Sequence, residues 1–525
     1  MRAGGGRVVF TVVGCAIALC LISPLLAVVL DAQHAGWHEV RTVLFRARSY
    51  SLLADTVALS ATVAVGAAVI GTAAALAIER SGVPLRRLWS VLLVLPMAMP
   101  DFVVGFSWHS LLPTMNPLLA ATAIMVLSTY PLVFLPVSAA LRRSDSALEE
   151  VARGLGLGPV ATFARVTIPA VRGAVAGGTL LAVLTVISEY GAFEAVRYHT
   201  LTTEIFTEFQ FDPAAAAALS VPLLVLGLLF IGLDMAIPRR QAALQVGSRT
   251  EVRGRSRWRA VPVTVLFTVL VGLGVAAPVG VLVYWMRQSQ HTTLPAVATL
   301  SVATESTFGY CAMGGLGVVL LAVPVAVLAV RYPSRWSTAV SVGAYITRAL
   351  PGVIVALSLV YLAINYLTPV YETPYLVVAA YVILFFPLGL VCVQATVAQL
   401  PPQLIEVAHS LGRGNLYVFA RITLPLIGPG LIAGFCMVFV TATTELTTTL
   451  LLAPLGVETL ATQFWAFQTE SSYGAAAPYA LVIVVVSVIP GALLGLWFDR
   501  GPRVHRAPST EVGGPEGARE EVLSR

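Results

Sequence analysis

The chain contains no lysine; its 32 basic residues are all arginine. A phosphate-binding Walker loop needs a lysine after its glycines. This polypeptide is therefore not its own P-loop ATPase, and any ATP that drives it is bound by another subunit. Charge of either sign is scarce: 11% of residues are charged and 58% are hydrophobic, against roughly 25% charged in soluble domains. At a mean hydropathy of +0.86, a chain of 525 residues cannot hide that much apolar surface from water. It is expected to be a polytopic protein in a lipid bilayer, with no nucleic-acid partner. Cysteine is also sparse. Cys15, Cys20, Cys311, Cys392 and Cys436 are odd in number and lie inside apolar runs, which suits small buried hydrophobes better than disulfides or ligands. The histidines (His34, His38, His109, His199, His291, His409, His505) are scattered without metal-ligand spacing. No metal site and no cofactor are expected.

A membrane-crossing helix needs about 20 apolar residues. Twelve stretches qualify: 8–30, 54–78, 89–112, 117–141, 173–196, 214–237, 261–286, 307–330, 338–364, 374–399, 427–453 and 476–498. The first is longer than the roughly 7–15-residue core of a signal peptide and is read as a retained helix. Pro96, Pro100, Pro131, Pro136, Pro324, Pro351 and Pro387 fall inside spans and are taken as ordinary for membrane helices. The fold class is all-α, with about twelve transmembrane helices in two parallel six-helix halves. The expected division is 1–238 and 260–500 for the halves, 239–259 for a basic cytoplasmic linker and 501–525 for a disordered cytoplasmic tail.

Arginine placement orients the chain, because loops facing the cytoplasm are enriched in it. With the N-terminus in the cytoplasm, Arg80, Arg86 and Arg87, then Arg142, Arg143, Arg153, Arg165 and Arg172, the linker, Arg331 and Arg335, and Arg413 and Arg421 all fall inside. The outer loops near 113–116, 365–374 and 454–475 hold none. Arg41, Arg46 and Arg48 are an exception, mixed with Asp31, Glu39 and Asp55. Six spans per half is an even number, so both halves enter the membrane in the same sense, as a parallel repeat. The tail is then cytoplasmic as well.

The chain also says one thing twice. Residues 150–169 read EVARGLGLGPVATFARVTIP and residues 406–425 read EVAHSLGRGNLYVFARITLP, with 11 of 20 positions identical without gaps. A repeat at an offset of 256 residues, near half the chain, implies two equivalent halves. The best-matched part is a polar break between apolar runs, and such loops carry function more often than packing does. Leu148, Val151, Ala152 and Leu155 fall on one helical face, and Leu404, Val407, Ala408 and Leu411 repeat it. Ser146 with Glu149 is a capping-box pattern and Pro401-Pro402 a helix start. Gly156 and Gly412 are expected to end these helices, and Pro169 and Pro425 to separate a second short helix from the next span. One alternative is a helix lying on the bilayer surface; the other is a helix offered to a partner's groove.

Glu-x-Ala, a glycine four residues after the alanine and a terminal hydrophobic-Pro resemble the docking loop of permease subunits of binding-protein-dependent, type I ABC importers. The resemblance covers both loops and the six-span halves around them. It implies that each loop seats a helix in a separate cytoplasmic ABC ATPase dimer, through Glu150, Ala152, Gly156 and Pro169 and through Glu406, Ala408, Gly412 and Pro425. It also implies an extracytoplasmic substrate-binding protein, no catalysis on this chain, and residence in the cell membrane. Leu201-Thr202-Thr203-Glu204-Ile205-Phe206, Thr444-Glu445-Leu446 with the threonines after it, and Thr459-Leu460-Ala461-Thr462 resemble the ferric-iron group of such permeases. Thiamine, polyamine and phosphonate permeases share the layout. A twelve-span secondary transporter is the rival class, and it leaves the paired loops unexplained.

Acids within spans cost about 2.5–3.5 kcal/mol at mid-bilayer. Glu189 and Glu445 are again 256 apart, toward the outer end of the span after each loop. They are candidates for the translocation pathway or its gate, or else structural partners in a helix bend. Asp101, Glu305 and Glu372 are read as ordinary caps. Glu204, Glu208 and Asp212 share one helical face, either as a solvated interfacial surface or as a docking site for the external binding protein.

Overall fold

The computed structural model describes residues 3–143, 146–236, 257–289 and 294–499, and every regular element among them is helical. The first half runs α1 (Ala3–Ala35), α2 (Trp37–Leu44), α3 (Ala47–Arg80), α4 (Arg86–Leu92), α5 (Asp101–Leu111) and α6 (Pro117–Arg143). The repeated loop follows as α7 (Ser146–Gly154) and α8 (Pro159–Thr162), and then come α9 (Ile168–Ser188), α10 (Gly191–Ala195), α11 (Leu201–Phe211) and α12 (Pro213–Ala236). The second half opens with α13 (Arg257–Val271) and α14 (Ala277–Gln288), then α15 (Val297–Arg331), α16 (Arg335–Ile346), α17 (Gly352–Tyr366) and α18 (Pro374–Gln399). Its loop is α19 (Pro402–Ser410) and α20 (Asn415–Val418), followed by α21 (Leu424–Thr443), α22 (Thr447–Leu452), α23 (Leu460–Thr469) and α24 (Tyr473–Asp499).

Each of the twelve expected stretches meets a helical segment, but they are not twelve plain spans. Among the described residues nine helices are long and apolar enough to cross a membrane. Two helix pairs are apolar enough only when taken together, α4 with α5 and α16 with α17, and they are bent by 87° and 108°. The cause is local. A proline pushes the residue before it out of helical geometry, and Met99 before Pro100 and Leu350 before Pro351 are both extended. Pro131, Pro136, Pro324 and Pro387 stay inside continuous helices; Pro96 lies in a short 3-10 turn leading into the first break, and Pro100 and Pro351 depart from the ordinary behaviour expected of all seven by standing at the bends.

The expected linker lies outside the described residues as far as residue 256, and its last three positions are already helical, in α13. The tail at 501–525 lies outside the described residues.

Each half is built on a tight helix trio, α3 with α6 and α9, and α15 with α18 and α21. Small residues let these backbones approach: a Cβ on Gly178 would stand 2.6 Å from the Leu132 carbonyl oxygen. The opening helix of each half packs across the boundary. α1 lies on α15, α16 and α17, and α14 lies on α5. Ser358 donates to the Pro24 carbonyl at 3.0 Å, and the Trp285 indole donates to Ser110 Oγ at 2.7 Å. The two sequence halves are thus interleaved, each holding the other's bent span.

Candidate functional site

α7 and α19 end in the same way. The N–H of Gly156 donates to the Arg153 carbonyl at 3.0 Å and that of Leu157 to Ala152 at 3.1 Å. Gly412 donates to His409 at 3.0 Å and Arg413 to Ala408 at 3.1 Å. This is the Schellman pattern, which needs a left-handed residue after the helix. Gly156 has φ +86° and Gly412 φ +77°, with open space where a Cβ would go. Glycine is needed here for its conformation and not for room.

The predicted apolar face is present and mostly uncovered. Ala152 and Ala408 are 5% and 6% exposed, whereas Leu155 and Leu411 are 79% and 74% exposed. Leu148, Val151, Leu404 and Val407 are exposed as well, and so are Glu150 and Glu406. Large apolar side chains grouped in the open mark an interaction surface. The capping-box pattern falls on Ser146, whose side chain lies outside the described set.

The prolines depart from expectation. Pro169 and Pro425 do not separate a short helix from the next span. Residues Phe163–Thr167 and Phe419–Thr423 form single π-turns that run directly into α9 and α21. Proline offers no N–H to the carbonyl four residues earlier, and a π-turn absorbs that mismatch without ending the helix. The second short helix of the loop and its span are therefore one rod: Pro159–Ser188 is continuous over 30 residues, about 45 Å at 1.5 Å per residue.

Both loops lie at the same end of the molecule. The guanidinium of Arg80, the last residue of α3, pairs with Glu149 at 3.1 Å. That of Arg331, the last residue of α15, donates to the Leu400 carbonyl at 2.8 Å. The opposite end is tied by threonines. Thr56 accepts the N–H of Leu201 at 3.0 Å and Thr307 that of Leu460 at 2.9 Å, which docks the starts of α11 and α23 on α3 and α15.

Glu189 and Glu445 sit where α9 and α21 stop. Glu189 accepts the Ala192 N–H at 2.8 Å, and Glu445 accepts the N–H and hydroxyl of Thr448 at 3.0 and 2.8 Å. Each carboxylate caps the short helix after it, α10 or α22. The sequence placed them toward the outer end of a span; in the structure they close its last turn.

Asp101 has a more particular place than the other acids read as caps. It opens α5 directly behind the Pro100 break, and α5 packs on α10, the short helix that follows Glu189. The proline three chemical bonds away was the available signal. Gly352 holds the matching place behind Pro351, and a Cβ there would lie 2.9 Å from Glu445 Oε1. Among the described residues these acids do not converge as a three-ligand metal set.

Glu204 and Glu208 of α11 and Asp212 just beyond it separate. Glu204 forms a fork with Arg48 at 2.9 and 3.1 Å, and Asp212 caps α12 through the Ala215 N–H at 3.1 Å. Glu208 is partly exposed on the helix between them.

The family described as binding-protein-dependent transport system inner membrane component matches residues 67–242 and 319–503, once over each half and across both loops. The chain belongs to this family. It is a multi-pass membrane permease component of the ABC importer class, a transport subunit by family and not an enzyme. It is 35% identical over 487 residues to the Fe(3+)-transport system permease protein FbpB 2 of Haemophilus influenzae, covering 91% of this chain and 96% of that protein. It is 22% identical over 510 residues to the ferric transport system permease protein FbpB of Actinobacillus pleuropneumoniae, covering 87% and 72%. The molybdenum transport system permease protein ModB of Mycobacterium tuberculosis is 28% identical over 250 residues, or 44% of this chain and 89% of that one.

Proposed function

We propose that this chain is a fused permease pair that imports ferric iron across the cell membrane, powered by a separate cytoplasmic ATPase dimer and supplied by an external binding protein. The observation that carries the reading is the matched pair of uncovered apolar helices, α7 and α19, at one end of two interleaved bundles. One chain offers two equivalent docking faces, which suits a two-fold ATPase. Glu150, Ala152, Gly156 and Pro169, with Glu406, Ala408, Gly412 and Pro425, form those faces. The loop end faces the cytoplasm together with both termini, as arginine placement supports. We keep the expected division into permease halves at 1–238 and 260–500.

Because the second short helix of each loop, α8 or α20, runs without a break into α9 or α21, closure of the ATPase dimer on α7 and α19 pushes, through the glycine turns, on two rods about 45 Å long. Their far ends carry Glu189 and Glu445. Motion at the docking face therefore reaches the acids across one turn and along one rod in each half, and the pathway changes its open side. Glu189 and Glu445, with Asp101 beside them, line that pathway. Glu208 and its neighbours Glu204 and Asp212 face the binding protein.

Ferric iron is carried over from the two iron-permease relatives that match most of the chain. Molybdenum is the second reading, from the relative that matches one half. The deciding experiment is uptake into vesicles holding this chain, its ATPase and its binding protein. ATP-dependent uptake of ferric iron is expected. Uptake driven by an ion gradient with the ATPase omitted overturns the importer reading, and ATP-driven uptake of molybdate in place of iron overturns the cargo.

A further inference from the structure

The two docking helices are matched at their tips but held differently at their roots. In the first half Glu149, next to the docking residue Glu150, is buried. Its carboxylate pairs with Arg80 of α3 at 3.1 Å and with Arg153 one turn along α7 at 3.2 Å, and it accepts the Thr167 hydroxyl at 3.1 Å. One side chain thus joins the end of α3, the docking helix and the π-turn at the root of α9. In the second half the threonine is kept as Thr423 and the terminal arginine as Arg331, but Ile405 stands where Glu149 would be. Isoleucine accepts no hydrogen bond. Arg331 turns to the carbonyl of Leu400, ahead of α19, and His409, in the place of Arg153, bonds within its own loop to the Arg413 carbonyl at 3.0 Å.

We infer that Glu149 is a positioning residue that clamps the first docking helix to α3 and α9, so that the two halves receive force from the ATPase unequally. The first transmits stiffly through a buried ionic joint. The second follows through backbone contacts and apolar packing. A buried carboxylate with several partners holds one geometry, because losing any partner leaves charge unpaired in a dry place. The inference rests on the docking function proposed above.

The test uses the full chain with its ATPase and binding protein in vesicles, and reads ATP hydrolysed per substrate imported. Glu149→Gln, close to isosteric, and Glu149→Ile, which copies the second half, are expected to raise that ratio at least threefold while the ATPase still co-purifies. Glu149→Asp is expected to restore part of the coupling, and Ile405→Ala to leave the ratio within twofold. A merely structural role would lower ATPase activity and import together and leave the ratio fixed; that result overturns the inference. So does an equal change from Ile405→Ala. If Glu149→Ile does not assemble, Glu149→Gln decides alone. A wild-type chain that fails to capture the ATPase sinks the docking function itself, which the variants do not address.

Discussion

The hydroxyl of Thr307 accepts the backbone N–H of Leu460 at 2.9 Å, repeating what Thr56 does for Leu201 on the other half. Both threonines are buried, and the donor is the first N–H of a helix, which has no partner within that helix. Thr56→Val and Thr307→Val keep shape and remove the acceptor. Each is expected to cost about 1–3 kcal/mol, the penalty for a buried unpaired polar group. Denaturant unfolding in detergent reads the loss, and equal losses in the two variants are the expected result. A neutral effect in either half would show that the two ends are not held by the same bond.

Gly156 and Gly412 carry a conformational demand. An L-residue in the left-handed region costs roughly 1–2 kcal/mol, and no neighbour crowds either site. The double variant Gly156→Val, Gly412→Val should insert and fold, yet bind the ATPase at least tenfold more weakly. Co-purification against membrane yield separates the two effects. Undiminished capture of the ATPase would remove these turns from the docking face.

Glu189 and Glu445 each hold a helix start and offer an ionisable carboxyl, and substitution can part the two roles. Glutamine keeps an acceptor for Ala192 or Thr448 and cannot ionise. Glu189→Gln, Glu445→Gln is expected to fold and to dock the ATPase normally while import falls at least tenfold. Alanine also removes the cap, at about 1 kcal/mol per site, so thermal unfolding should shift only in the alanine pair. Full import by the glutamine pair would leave the acids as caps alone.

Arg48 of α3, the partner of Glu204 on α11, is 53% exposed, and exposed ion pairs contribute about 0–1 kcal/mol. Arg48→Ala should leave stability nearly unchanged. Glu208→Arg should weaken capture of the binding protein at low salt, with the difference shrinking at high salt as the charges are screened. An affinity independent of residue 208 would move the docking surface elsewhere.

The loop was legible because its signals are local. A helical apolar face, a glycine at the end of each helix and the copied wording need only neighbouring residues, and α7 and α19 follow them. The meaning of the prolines was not legible. Pro169 and Pro425 looked like stops, yet a π-turn carries each helix onward. Pro100 and Pro351 looked like other span prolines, yet they bend their spans by 87° and 108°. What proline does depends on whether neighbouring helices can satisfy the freed backbone groups, and Tyr130 donating to the Leu93 carbonyl at 2.7 Å is one such neighbour.

The sequence by itself determined the solvent, the helical class, the number of apolar stretches and the two-fold repeat. These follow from hydropathy, periodicity and self-similarity, which are sums over nearby residues. Only the tertiary structure decided that the halves interleave through α1 and α14, that α5 packs on α10 beside the Pro100 break, and that Glu149 ties α3 to α7. Those contacts join residues far apart in the chain, and their geometry is set by how closely the helices pack and by where each rod bends.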